Sequence, residues 1–72
     1  MERYRNLSGA SGVNSFEIGN DFIRVKFTAT SQTYTYSHRK AGSNHVENMK
    51  TLARTGSGLN TYINQHVKFK YD

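Results

Sequence analysis

From Asn14 to Ser37 the chain alternates apolar and polar residues with period two, in three segments, SFEI, FIRVKFTA and QTYTYSH. Successive side chains of an extended chain point to opposite faces, so the pattern demands half-buried strands with one wet side. Gly19-Asn20 and Thr30-Ser31 separate the segments and are expected to be two-residue hairpin turns. The first turn then sets Phe16 opposite Ile23, and the second sets Phe27 opposite Tyr34 and Val25 opposite Tyr36. Both hairpins agree on one apolar face made of Phe16, Ile18, Ile23, Val25, Phe27, Tyr34 and Tyr36. Arg24, Lys26, Thr28, Thr33, Thr35, Ser37 and Glu17 take the other face, on which the second and third strands are expected to place no aromatic ring. Slipping either hairpin by one residue destroys this agreement. The second turn is the less well specified, since Thr-Ser supplies neither Gly nor Asn for the positive φ that such turns favour.

A basic and then small-residue loop runs from His38 to Asn44, and a helix is expected after it. Asn44 has the chemistry of an N-cap with Glu47 three positions on, while Val46, Met49, Leu52 and Ala53 recur on one helical side. Gly56 is placed to stop this helix, and Ser57 to cap a second one whose apolar stripe is Leu59, Tyr62, Ile63 and Val67. The tail KFKYD alternates, so it either adds a short strand or frays. Residues 1–12 mix charge with Ser, Gly and Asn without periodicity and read as a flexible N-terminal arm. The expected organisation is that arm, a single domain over 13–67, and a tail over 68–72. Its fold class is α+β, a three-stranded antiparallel meander followed by two helices packed on one sheet face.

With 72 residues and no cysteine, the core must stand on packing alone, and self-association would extend it. A net charge of +5 favours anionic partners such as nucleic acid, an acidic protein or a headgroup surface, though a solvated surface explains the same charge. The N-terminal stretch MERYRNLSGASG has no apolar core of a signal peptide. No apolar run approaches the roughly 18 residues of a membrane span, so a soluble, cytoplasmic protein with no membrane partner is expected.

Several residues in this order resemble the KTSC domain family, a small module also found at the C-terminus of some lysyl-tRNA synthetases. They are Val13 and Ser15, the strand Ile23, Val25 and Phe27, the pair Tyr34 and Tyr36, Ala53, and then Leu59, Asn60 and Ile63. The chain departs from the family pattern in three ways. The usual Gly before Tyr-x-Tyr is missing, that turn is one residue longer, and no Val-Pro follows, since there is no proline. The resemblance implies the β-β-β-α-α fold and a suggested role in RNA binding, and it implies no catalytic residues.

Tyr34 and Tyr36 share the face of Val25 and Phe27 and are therefore expected in the core rather than in a base-stacking platform. On the opposite face Arg24 and Lys26 lie beside Thr33, Thr35 and Ser37, and Arg39 and Lys40 extend the patch. Cations flanked by hydroxyls suit phosphate oxygens, and the same residues are ordinary choices for the wet side of a sheet. If about four such groups contact one strand, binding weakens with a log–log salt slope of roughly −2.8. Lys50 and Arg54, with Glu47 nearby, read as a solvated helix face. Lys68 and Lys70 alternate with Phe69 and Tyr71, a pattern suited to single strands and equally to a docked edge strand.

His38, His45 and His66 fall on separate elements without close spacing, so neither a metal site nor a histidine acid–base pair is expected. These readings lead to a non-catalytic module without cofactors or small-molecule substrate. Its partner is RNA or another nucleic acid, or alternatively itself or another protein.

Overall fold

The computed structural model describes residues 1–7, 12–28 and 32–72. Among these, four strands lie side by side in chain order, each antiparallel to the next: β1 Glu2–Arg3, β2 Val13–Ile18, β3 Phe22–Phe27 and β4 Thr33–Ser37. The α+β class is as expected, but the sheet has one strand more than the alternation shows. The extra strand comes from the segment read as a flexible arm. Its anchor is Tyr4, whose ring is only 3% exposed and whose N–H donates to the Asn14 carbonyl at 3.0 Å. One large aromatic gives this short segment enough apolar area to dock.

Both hairpins keep the expected faces and change the expected partners. Phe16 pairs with Val25 and Ile18 with Ile23, because the tight loop is Asn20-Asp21, closed by Gly19 N–H donating to the Phe22 carbonyl at 3.0 Å. Gly19 is not used for positive φ. It is needed because the Phe22 ring lies where a Cβ would be. In the second hairpin Val25 pairs with Tyr34 and Ile23 with Tyr36, rather than Phe27 with Tyr34 and Val25 with Tyr36. The Thr30-Ser31 turn lies outside the described residues. Moving a turn by one residue changes the pairing by two, which leaves every side chain on its face. A bulge between Val13 and Ser15 turns Val13 inward opposite Phe27, although simple alternation would place it with Ser15 on the open side.

Helix α1 (Ser43–Thr55) packs Val46, Met49 and Ala53 against this apolar face. Its N-cap is Gly42, without a side-chain cap, so the expected capping box of Asn44 and Glu47 does not form. Glu47 is drawn elsewhere: its Oε2 lies 2.8 Å from both Lys50 Nζ and His38 Nε2. Gly56 ends the helix in the left-handed conformation, as expected. Helix α2 (Leu59–Tyr62) is capped by Gly58 rather than Ser57 and runs on as a wider π turn over Ile63–Val67. Leu59, Ile63 and Val67 are buried, four residues apart, while Tyr62 is half-buried at the flank.

The tail docks. Asp72 N–H donates to the Thr35 carbonyl at 2.7 Å, and Tyr71 packs edge-on against Tyr34 and Tyr36 with centroids 4.7 and 6.3 Å apart. The outer edge of β4 is thereby partly covered.

Candidate nucleic-acid interface

Residues directly opposite in an antiparallel sheet share a face, so the register assigns the open side row by row. One row runs Arg3, Ser15, Lys26, Thr33 across all four strands. The next row holds Glu17, Arg24 and Thr35. Four of the expected residues, Arg24, Lys26, Thr33 and Thr35, are therefore brought together. Arg39 and Lys40 are exposed on the turn that follows Ser37, beyond the strand end, and extend the patch along the chain rather than within the sheet.

Two members of this face were missed by sequence reading. Arg3 belongs to it because β1 pairs with β2, a contact that no local periodicity announces. Phe22 belongs to it by strict alternation with Arg24 and Lys26, which corrects the expectation of an open face without aromatics from these strands. The Arg24 guanidinium carbon lies 4.9 Å from the Phe22 ring centroid, and Arg24 Nη1 donates to Glu17 Oε1 at 3.0 Å. Both charged side chains of that pair are nearly half exposed. An exposed pair of this kind contributes little stability and yields readily to a competing anion.

Carboxylates reach the face from Glu17 and from Asp72, whose Oδ1 accepts from Ser37 Oγ at 2.8 Å. Ser37 is thus occupied, and it also receives the Lys40 N–H on its hydroxyl at 3.1 Å. Thr33 and Lys26 stand at the end of the patch away from both carboxylates in the pairing.

The two tyrosines of the third expected strand lie where alternation puts them. Tyr36 is 2% exposed in the core, and burial, reinforced by Tyr34 and then Tyr71, pushes its phenol up to about 12. Tyr34 is half-buried, edge-on to Phe27, with its hydroxyl donating to Gln32 Oε1 at 3.0 Å. Neither ring is offered on the open side.

Lys50 is a further correction. It is only 5% exposed, with Nζ donating to the Asn20 carbonyl at 3.1 Å as well as pairing with Glu47. Instead of a solvated helix face it ties α1 to the β2–β3 turn. Lys50, then His38, hold the exposed Glu47 carboxyl below its ordinary range by hydrogen bonding.

The histidines are also less scattered than their spacing implies. His45 and His66 stack with centroids 5.6 Å apart, beside Tyr62, whose hydroxyl is 2.8 Å from His45 Nδ1 and accepts from Asn48 Nδ2 at 3.2 Å. His38 stands apart, against Glu47. Packing of α1 on the second helix makes the pair, which is why no sequence motif signals it. Among the described residues no group of three or more His, Cys, Asp or Glu side chains could hold a metal ion, and no helix is long and apolar enough to cross a membrane.

Comparison with known proteins finds no matching family model, no similar curated protein and no similar solved structure.

Proposed function

We propose that the chain is a non-catalytic binding module of KTSC type that holds single-stranded nucleic acid, RNA above all, on its open sheet face. The observation that carries this reading is the row Arg3, Lys26, Thr33 beside Arg24 and Thr35, with Phe22 within the same surface. Cations and hydroxyls supply the phosphate contacts, and the Arg24 guanidinium laid over the Phe22 ring supplies a flat surface for stacking. Arg39 and Lys40 lengthen the path of the backbone. The residue pattern resembling KTSC modules supports the same partner. The contacts are to phosphate and ring faces rather than base edges, so binding is weak, steeply salt-dependent and sequence-tolerant.

Self-association through a sheet edge finds less support. β1 is two residues long, and the Asp72 N–H already occupies the Thr35 carbonyl on β4.

The test is an amide-resolved NMR titration with a short single-stranded RNA at two salt concentrations, with heparin as polyanion control. Salt-sensitive shifts at residues 3, 22–26, 33–35 and 39–40 that exceed those from heparin support the reading. Equal response to heparin reduces it to generic charge, and no response at low salt refutes it.

A further inference from the structure

A groove of about 400 Å³ opens between the second helix and the C-terminal tail, on the side of the sheet opposite the cationic rows. Its size falls within the range of small-ligand sites. One wall is aromatic: Tyr34 and Tyr71, packed edge-on at 4.7 Å, with Phe69 beside them at the rim. Phe69 is 78% exposed. The Lys68 ammonium sits 5.5 Å from its centroid. The other wall is one helical edge, on which Asn60, Asn64 and Lys68 follow at intervals of four residues. Neither asparagine side chain makes a hydrogen bond to the described residues, so two carboxamides face the groove with donors and acceptors uncommitted. Among the described residues no carboxylate lines it.

Each part of this arrangement selects one part of a ligand. Exposed rings take a flat π-system by stacking. A carboxamide presents a paired donor and acceptor that matches the edge of a nucleobase, as asparagine does with adenine. Lys68, with no acid against it in the groove, takes an anion. A nucleotide carries all three groups: a flat base, the polar edge of that base and a phosphate.

We infer that the groove is a nucleotide slot, in which Phe69 and Tyr71 stack the base, Asn60 and Asn64 read its edge and Lys68 holds the phosphate. In the context of the RNA-binding reading above, on which its polymeric ligand rests, the slot receives one base of a strand whose backbone is held elsewhere. It gives the module a base preference that the open sheet face lacks.

The experiment compares adenosine and uridine 5′-monophosphates with the single-stranded RNA, by NMR titration of the full chain and of two variant sets. Phe69→Ala and Asn64→Asp alter the groove; Phe69 is exposed and Asn64 lies on the helix surface, so both variants should remain folded. Arg24→Glu with Lys26→Glu alters the open face.

The slot predicts that a mononucleotide shifts residues 60, 64, 68, 69 and 71. It also predicts that Phe69→Ala weakens this binding by about 5- to 140-fold, the range of base–aromatic stacking. Asn64→Asp should weaken it too, while the open-face variant leaves it unchanged.

Mononucleotides that leave the groove unmoved, with RNA still bound and lost in the open-face variant, overturn the slot and keep the sheet-face reading. Groove shifts with no RNA effect on the sheet face do the reverse. Silence at both places overturns both.

Discussion

Truncating Tyr4 should behave as a core mutation, although the residue sits four positions from the start of the chain in a stretch without periodicity. Its ring is buried in the main apolar cluster, and its hydroxyl accepts the Leu59 N–H at 3.3 Å. Leu59 opens α2 behind Gly58, so its N–H is one of those a helix start leaves without an intrahelical acceptor, and Gly58 at the N-cap has no side chain to offer it. Tyr4→Phe keeps the ring and strands that buried donor, at a cost of about 1–3 kcal/mol. Tyr4→Ala also removes the ring, and large aromatic truncations cost about 3–5 kcal/mol. A chain of 72 residues has roughly 4–11 kcal/mol of total stability, so the alanine variant should lose much of its cooperative transition. Thermal and urea unfolding followed by circular dichroism separate the cases. Each kcal/mol corresponds to about 4–8 °C in Tm for a domain of this size. Leu7→Ala is the control, since Leu7 is largely exposed and should change stability by less than about 0.5 kcal/mol. If Tyr4→Ala melts like that control, the N-terminal segment is not docked and the fourth strand contributes nothing.

Three further outcomes follow from the same contacts. Tyr36 keeps its proton up to about 12 when folded and releases it near 10 when unfolded. Between those values the folded chain binds more protons, so stability is full below pH 10 and falls through pH 12 by roughly 2–3 kcal/mol. Tyr36→Phe should flatten that alkaline loss in urea titrations, and an unchanged slope would show that the phenol is not the titrating group.

Glu47 has its carboxyl pulled down by Lys50 and then His38. Its contribution is present above the ordinary carboxylate range and disappears as pH drops through the lowered value. Glu47→Gln should reduce the acid slope of Tm, and a variant with the wild-type acid profile contradicts the pairing.

Gly56 and Gly58 both have positive φ, but a Cβ on Gly56 would sit 2.6 Å from Arg5 Cβ, whereas on Gly58 it would meet only Leu52 Cδ2 at 3.7 Å. Gly58→Ala should cost about 1–2 kcal/mol for the left-handed backbone. Gly56→Ala should cost roughly 2–4 kcal/mol because the N-terminal segment must also move. Equal losses in chemical denaturation would deny the close approach of Arg5.

What the sequence determined by itself is the division of the sheet into two faces. Phe16, Ile18, Ile23, Val25, Phe27, Tyr34 and Tyr36 point to the helices as alternation requires, even though both pairings differ by two residues from those that turn chemistry predicts. Period two is a property of the extended backbone, and a turn displaced by one residue preserves it. Phe22 was legible by the same rule, since it alternates with Arg24 and Lys26. The stop at Gly56 was legible too, because the left-handed end of a helix is a local demand for glycine.

Tertiary structure alone decided the rest. Tyr4 reaches Leu59, Lys50 reaches Asn20 and Tyr71 reaches Tyr34, each across 30 residues or more of chain. Packing of α1 against the second helix brings His45 to His66, and docking of the tail completes the groove beside Asn60 and Asn64. Such contacts are selected by which apolar surfaces remain uncovered after the hairpins and helices form. That choice depends on the shape of the whole molecule and leaves no period or spacing in the chain to read.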